Sequence, residues 1–336
     1  MRYDVAIAGG GPAGCATALS LRAHAPSLKV LLVEASRYEA PRIGETLPPL
    51  ARQLLEHLGV WEAFVAQRHR EVHGTVAAWG SRVRVDNDYF FGTAGNGWHL
   101  DRTAFDAMLA DAAEARGVTV VRGERAAVDA RVVVDATGGA AAIARRRGAS
   151  FVSGDHLVAA VRFYDGGGDD PRTLVEAFAD GWWYTAGLPD GKRVVACMTD
   201  GDLARGLRLA EEASWSALLS GTTHVAPLVR GKGSELVVRS ADSRRLDVAA
   251  GDGWVAVGDA ASRFDPLSSQ GIIKALRSGV FASYAVGDLL VRGDESGVRR
   301  YRGFVEQEFA SYLTVRTKFY REETRWPERE FWRRRR

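Results

Sequence analysis

The sequence predicts an α/β protein in which a Rossmann-like domain is interrupted by an inserted antiparallel sheet. Three observations predict it. A short apolar strand at the N-terminus runs straight into a glycine turn and a helix. A second strand with a glycine turn, WVAVGDAA, follows more than 200 residues later. Between them, from Asp155 to Val238, strand-like segments dominate.

Each element has a local reason. Tyr3 to Ala8 reads as a buried strand, GGGPAG as a turn, and CATALSLRAHA as a helix of good helix formers with apolar periodicity. LKVLLVEA is a second short strand ending at Glu34, which completes a strand–turn–helix–strand unit. Leu50 to Phe64 is an amphipathic helix, and Val72 to Phe91 alternates like sheet. Arg102 to Arg116 is helical with Asp101 as its cap. Gly117 to Arg122 and Arg131 to Asp135 are strands, the latter closing at ATGG. LVAAVRFY, TLVEAFA, GWWYTAGL and RVVACMTD are the inserted strands, broken by a helix near Ala210 to Ser220. Long helices follow from about Gln270 and from Gly297 to Glu323.

Composition sets the outer bounds. At 336 residues, 46% hydrophobic and 26% charged, the chain is an ordinary globular protein of about two domains with room for a large core. A net charge of +3, from 45 basic and 42 acidic residues, is too balanced to argue for nucleic acid. The basic excess lies in Arg333 to Arg336, which read as a solvated basic tail. Two cysteines, Cys15 and Cys197, give no disulfide framework and fit a reducing cytoplasm. No apolar run is long enough for a membrane span. The histidines give no metal-ligand spacing beyond His69 and His73, so no metal site is expected.

Gly9, Gly11 and Gly14 form G-x-G-x-x-G immediately after a strand, with Pro12 and Ala13 opening the helix. The first glycine allows the tight turn, the second lets a pyrophosphate approach, and the third lets helix and strand pack closely. The helix N-terminus then offers N–H groups and a positive dipole end to phosphate. Glu34 closes the second strand, where a carboxylate accepts ribose hydroxyls and repels a 2′-phosphate. An adenine dinucleotide is expected. The downstream Gly258-Asp259 turn favours FAD over NAD, with Asp259 toward the ribityl chain, although a GD pair by itself is also an ordinary helix cap. Pro266 precedes a helix start at which Gly271 and Ile272 offer N–H groups to a flavin edge.

GGGPAG, RIGETLPP, WHLDRTAFD, DATGG and VGDAASRFDPLSSQGI together resemble the flavin monooxygenase superfamily with the p-hydroxybenzoate hydroxylase fold, in its halogenase-like branch. GWHLDR, GWWYTAGLPDGKRVVACMTD and RWPEREFWRRR resemble the flavoprotein maturases of cysteine tryptophylquinone enzymes, the partners of lysine and glycine oxidases. The resemblance implies that Arg42, Glu45 and Arg102 lie along the flavin. It implies a Rossmann-like FAD-binding domain assembled from 1–75, 98–150 and 241–325. The antiparallel-sheet substrate domain is then 76–97 and 151–240, and 326–336 is the tail.

Two departures qualify it. Halogenases carry a lysine where this chain has Thr75 or Val76, and a glutamate where it has Ser268, so halogenation is not expected. The segment between Val121 and Val132 is shorter than the family's.

The expected reaction is hydroxylation of an electron-rich indole or phenol ring through a flavin C4a-hydroperoxide, on a tryptophan of a partner protein. The alternatives are a small-molecule aromatic hydroxylase and a geranylgeranyl-reductase-like C=C reductase. The co-reactants are O2 and either a separate flavin reductase or NAD(P)H. His73 and His99 are the candidates for proton handling, because both flank the inserted sheet. Trp79, Phe91, Trp98, Trp183 and Ser268 are expected to line an apolar pocket from which water is kept out.

Overall fold

A computed structural model describes residues 3–40, 42–89, 95–125, 130–166, 168 and 170–336, the side chain of Ser153 excepted. Phe91 lies outside the described residues, as does much of the shortened segment, 126–129.

The first sheet is the expected one. Tyr3–Ala8 lies at its centre, paired in parallel with Val30–Glu34 on one side and Ala130–Asp135 on the other. Thr119–Arg122 extends the first flank in parallel. Trp254–Ala256 extends the second, where the short antiparallel Ala250–Gly251 closes the edge. The strand cores Val5–Ile7 and Val132–Val134 are buried, as parallel strands covered on both faces require. Helix Pro12–His24 is buried from Pro12 to Leu21 because helix Gly271–Gly287 packs along it. The approach is close: a Cβ on Gly279 would stand 2.4 Å from the Ala13 carbonyl oxygen.

The second sheet has seven strands, running in space from Val237–Ser240 through Leu157–Asp165, Lys192–Asp200, Gly181–Gly187, Thr173–Phe178 and Gly74–Ala78 to Val85–Asp88. It is not wholly antiparallel. Thr173–Phe178 and Gly74–Ala78 pair in parallel, since they arrive from separate parts of the chain rather than through a hairpin. Alternation gives this sheet two apolar faces. Trp182, Ala186 and Met198 share one with Ile43 and Leu267, while Trp183, Val195 and Cys197 share the other with Trp215.

The C-terminal segment corrects in part the expectation of a solvated tail: Arg333, Arg334 and Arg336 are exposed, but the segment as a whole is packed down. After helix Ser296–Glu322 the chain folds back over the second sheet. Phe331 and Trp332 are buried, and the Trp332 indole donates to the Phe178 carbonyl at 3.0 Å. Arg329 pairs with Asp180, Arg334 with Asp200 and Asp202, and Arg335 with Asp200. Arginine stems cover apolar surface while their heads find carboxylates, which a count of charges does not reveal.

Candidate cofactor and substrate site

The glycine turn has the geometry its sequence demands. Gly9 adopts φ +112°, and a Cβ there would stand 2.1 Å from the Ala136 carbonyl oxygen, so no other residue fits. At Gly11 the surroundings are the reverse. A Cβ would meet only the Arg42 guanidinium at 3.9 Å, and helix Pro12–His24 begins there without a side-chain cap. An open cradle in front of uncapped helical N–H groups is what a pyrophosphate needs, so the residues fit a bound dinucleotide.

Glu34 is held tightly. Its carboxylate accepts Gly10 N at 2.7 Å and Ser36 N and Oγ at 3.0 and 2.7 Å, and Arg42 stands 2.9 Å away. Burial pushes its pKa up, but these donors and the arginine outweigh burial and hold it below the ordinary carboxylate value. Arg42 also reaches Asp106 Oδ2 at 2.8 Å, and Arg102 meets the same carboxylate at 3.1 Å. Asp106, which the sequence reading quoted but gave no role, therefore clamps both arginines.

The second glycine turn comes up beside the first. Gly258 has φ +60°, and a Cβ on it would lie 2.7 Å from the Ala13 Cβ. Asp259 is not the simple cap that the pair alone allows: its Oδ1 is 2.7 Å from Lys274 Nζ, a buried ammonium four residues into helix Gly271–Gly287. Lys274 was not singled out in the sequence, since a lysine in an otherwise apolar helix reads as a solvated position. Pro266 opens a short 3-10 turn whose Leu267 N donates to Asp265 Oδ1 at 2.9 Å. At the following helix start Gly271 has open space where a Cβ would be, and Ile272 is buried behind it.

The DPLSSQ turn is tied to the second sheet. The Asp265 carboxylate is fully buried. It accepts the Tyr320 hydroxyl at 2.6 Å and pairs with Arg316 at 3.2 Å, and the Trp182 indole donates to the Tyr320 oxygen at 3.0 Å. Ser268 turns its hydroxyl to the Asp265 carbonyl and lines a cleft of about 490 Å³ with Gln270, Glu308 and Phe319.

The two histidines separate. His73 is exposed. His99 is buried between the Gly187 carbonyl and Thr173 Oγ1, 2.9 Å from each, and burial lowers its pKa to about 4. The carbonyl only accepts, so Nδ1 carries the hydrogen and Nε2 accepts from Thr173. Thr173 Oγ1 is 3.4 Å from Thr46 Oγ1, which is 2.9 Å from the Tyr184 hydroxyl. His99 is thus the neutral anchor of a buried hydroxyl chain.

The aromatic candidates divide too. Trp79 lies on the Trp182 face, its indole donating to the Phe319 carbonyl at 2.8 Å. Trp183 does not face the flavin turns: strand alternation sends it to the opposite face, against Trp215 at 5.0 Å. Trp98 packs edge-on to Trp61 and Phe64 at 5.6 and 5.2 Å beside the first core. The face that meets Ile43 and Leu267 carries Trp182 and Tyr184 instead.

Comparison with known proteins agrees with this geometry. Residues 2–167 match the FAD binding domain family. The chain is 32% identical to LodB of Marinomonas mediterranea, an FAD-dependent oxidoreductase by its name, over 99% of this chain and 96% of that one. The chain belongs to the FAD-dependent oxidoreductases. In structure this flavoenzyme is similar to the flavin-dependent halogenase CmlS, with TM-score 0.88, 26% identity and coverage of 100% and 68% of the two chains. It is also similar to QhpG, a peptidyl tryptophan dihydroxylase essential for tryptophylquinone cofactor biogenesis. There the TM-score is 0.79, with 25% identity and coverage of 100% of this chain and 79% of that one. FAD is its cofactor. Among the described residues no cluster of His, Cys, Asp or Glu could hold a metal ion, and no helix is long and apolar enough to cross a membrane.

Proposed function

We propose that this flavoenzyme is a monooxygenase that hydroxylates a tryptophan side chain in a partner protein, as a step in forming a quinone cofactor there. The observation that carries the reading is the likeness, over the whole of this chain and 79% of the other, to a peptidyl tryptophan dihydroxylase. The likeness to LodB over nearly the whole of both chains supports it.

Bound FAD, once reduced by a separate reductase or NAD(P)H, supplies oxygen transfer from O2. The rest is the work of the chain. Gly9, Gly11, Gly14 and the helix start at Pro12 and Ala13 take the pyrophosphate. Glu34 would take a ribose, and Arg42, clamped with Arg102 by Asp106, would lie along the cofactor. Asp259, fixed by Lys274, would take the ribityl chain, and the N–H groups of Gly271 and Ile272 would hold the ring edge. Trp182, Tyr184, Ile43 and Leu267 form the apolar wall that keeps water from the reacting ring. His99, neutral at pH 7, does not exchange protons itself but orients Thr173 and Tyr184.

The test is incubation of the FAD-loaded enzyme with reduced flavin, O2 and tryptophan-bearing peptides beside free tryptophan, read by mass spectrometry. A gain of one or two oxygen atoms on a peptide tryptophan is expected. Oxygenation of free tryptophan alone would make it a small-molecule hydroxylase, and no oxygenation would reject the reading.

A further inference from the structure

Two neighbouring helices carry an apolar face that no described residue covers. All three exposed large aromatic side chains among the described residues, Phe281, Tyr284 and Phe319, lie on helices Gly271–Gly287 and Ser296–Glu322. Single apolar side chains on a surface are ordinary, but these are joined. Phe281 packs edge-on to Phe304 at 4.6 Å, and Tyr284 stacks on His24 at 4.4 Å. Phe304 in turn lines the cleft of about 490 Å³ with Val315 and Phe319, which are 51% and 49% exposed. The two helices pack side by side, so the rings and the cleft form one continuous surface. At its inner end stand Ser268 and Gln270 of the DPLSSQ turn. Past the first turn of helix Gly271–Gly287, the two exposed positions are Phe281 and Tyr284, where a surface helix ordinarily places polar residues.

The charges along this face are spent within the chain. Arg277 pairs with Glu308, and Asp288 with Arg292 at 3.1 Å and Arg300 at 3.7 Å. Burial lowers the His24 pKa, so that ring adds no charge at neutral pH. An apolar face with its charges paired neither steers an oppositely charged protein nor repels a copy of itself. Its size suffices as well. Helix Gly271–Gly287 has 17 residues. At ~1.5 Å per residue and about 10 Å of width per helix, the two helices offer roughly 500 Å² per copy. Two such faces together bury roughly 1,000 Å², which is where specific interfaces begin.

We propose that this face is a homodimer interface, on which a second copy of the chain docks about a two-fold axis. A two-fold contact needs one patch that meets itself, and a neutral apolar patch does so without a complementary surface elsewhere on the molecule. The second copy buries Phe281, Tyr284, Val315 and Phe319 and roofs the cleft beside the DPLSSQ turn. The interface goes beyond the reaction proposed above and does not depend on it.

Sedimentation velocity of the FAD-loaded enzyme at micromolar concentration tests the proposal. Wild type is expected to have twice the mass of one chain. Phe281→Glu and Val315→Glu each put a charge into a two-fold contact twice, and each is expected to halve that mass. Both positions are exposed in the single chain, so bound flavin and the thermal midpoint are expected to match wild type. Val65→Glu sets the same charge at a half-exposed apolar position on helix Trp61–Ala66 and is expected to leave the dimer intact. A monomeric wild type overturns the proposal and leaves the face to a different protein. A dimer that survives both Phe281→Glu and Val315→Glu, or one that Val65→Glu breaks as readily, overturns it as well, since the contact then lies elsewhere. The outcome is separable from the function itself: a monomer that oxygenates peptide tryptophan rejects only the interface, and a dimer without oxygenation rejects only the reaction.

Discussion

Lys274 Nζ lies 2.7 Å from Asp259 Oδ1, so the aspartate of the second glycine turn is held by a buried ammonium. Burial raises the Asp259 pKa, and Lys274, with Arg263 and Arg102 farther off, more than reverses this. The carboxylate therefore stays ionised throughout the neutral range. Asp259→Ala is expected to weaken FAD binding by about 1.5–3 kcal/mol, the scale of a hydrogen bond to a charged group. Lys274→Met keeps the stem and removes the charge, so it is expected to cost roughly tenfold in affinity and to make that affinity fall on mild acidification, where wild type stays flat. Fluorescence titration of FAD at two pH values checks both.

His99 sets a pH dependence of stability. Its pKa is about 4 in the folded chain against an ordinary 6.5, so between those values the unfolded chain binds the extra proton. Its contribution is complete above 6.5 and is lost as pH falls toward 4, about 3 kcal/mol in all at ~1.4 kcal/mol per unit. Urea unfolding across that interval should show the loss in wild type and a flatter profile in His99→Gln.

Much of the cofactor half was legible because its signals are local. A glycine at φ +112° next to a strand, and a carboxylate at the end of the next strand, are fixed by their near neighbours, and the motif spacing records them. The partners of those residues were not legible. Lys274 meets Asp259, Tyr320 meets Asp265, and Thr173 meets His99, each across a fold that one sequence does not encode as a pattern. Trp183 was misplaced for a related reason. In GWWYTAG adjacent aromatics go to opposite faces, and only the other elements decide which face meets the flavin turns.

The packed C-terminus makes its own prediction. Arg335 and Asp200 are both buried, and among the described residues Asp200 keeps only Arg334 as an ionic partner if Arg335 is lost. Arg335→Met is expected to destabilise the protein by about 3 kcal/mol. Deletion of 326–336, which uncovers the Trp182 and Trp79 face, is expected to cost more. Thermal unfolding ranks wild type, the point variant and the truncation in that order. A truncation as stable as wild type would mean that the segment only rests on the sheet.

Halide is expected to leave no mark on the product. By the resemblance to halogenases, Thr75 or Val76, and Ser268, fall where those enzymes carry a lysine and a glutamate, and none of these side chains would relay hypohalous acid. Reactions with reduced FAD, O2 and bromide should give hydroxylated indole free of bromine by mass spectrometry. A brominated product would show that some other residue does the work of the missing lysine.

The most direct test of the account is the origin of the oxygen. The FAD-loaded enzyme is given reduced flavin, a tryptophan-bearing peptide and dioxygen enriched in heavy oxygen, and the modified tryptophan is sequenced by tandem mass spectrometry. The account predicts heavy oxygen on the indole ring at each hydroxylated position. Oxygen drawn from water, or a peptide whose tryptophan is desaturated or unchanged while flavin is consumed, would contradict it.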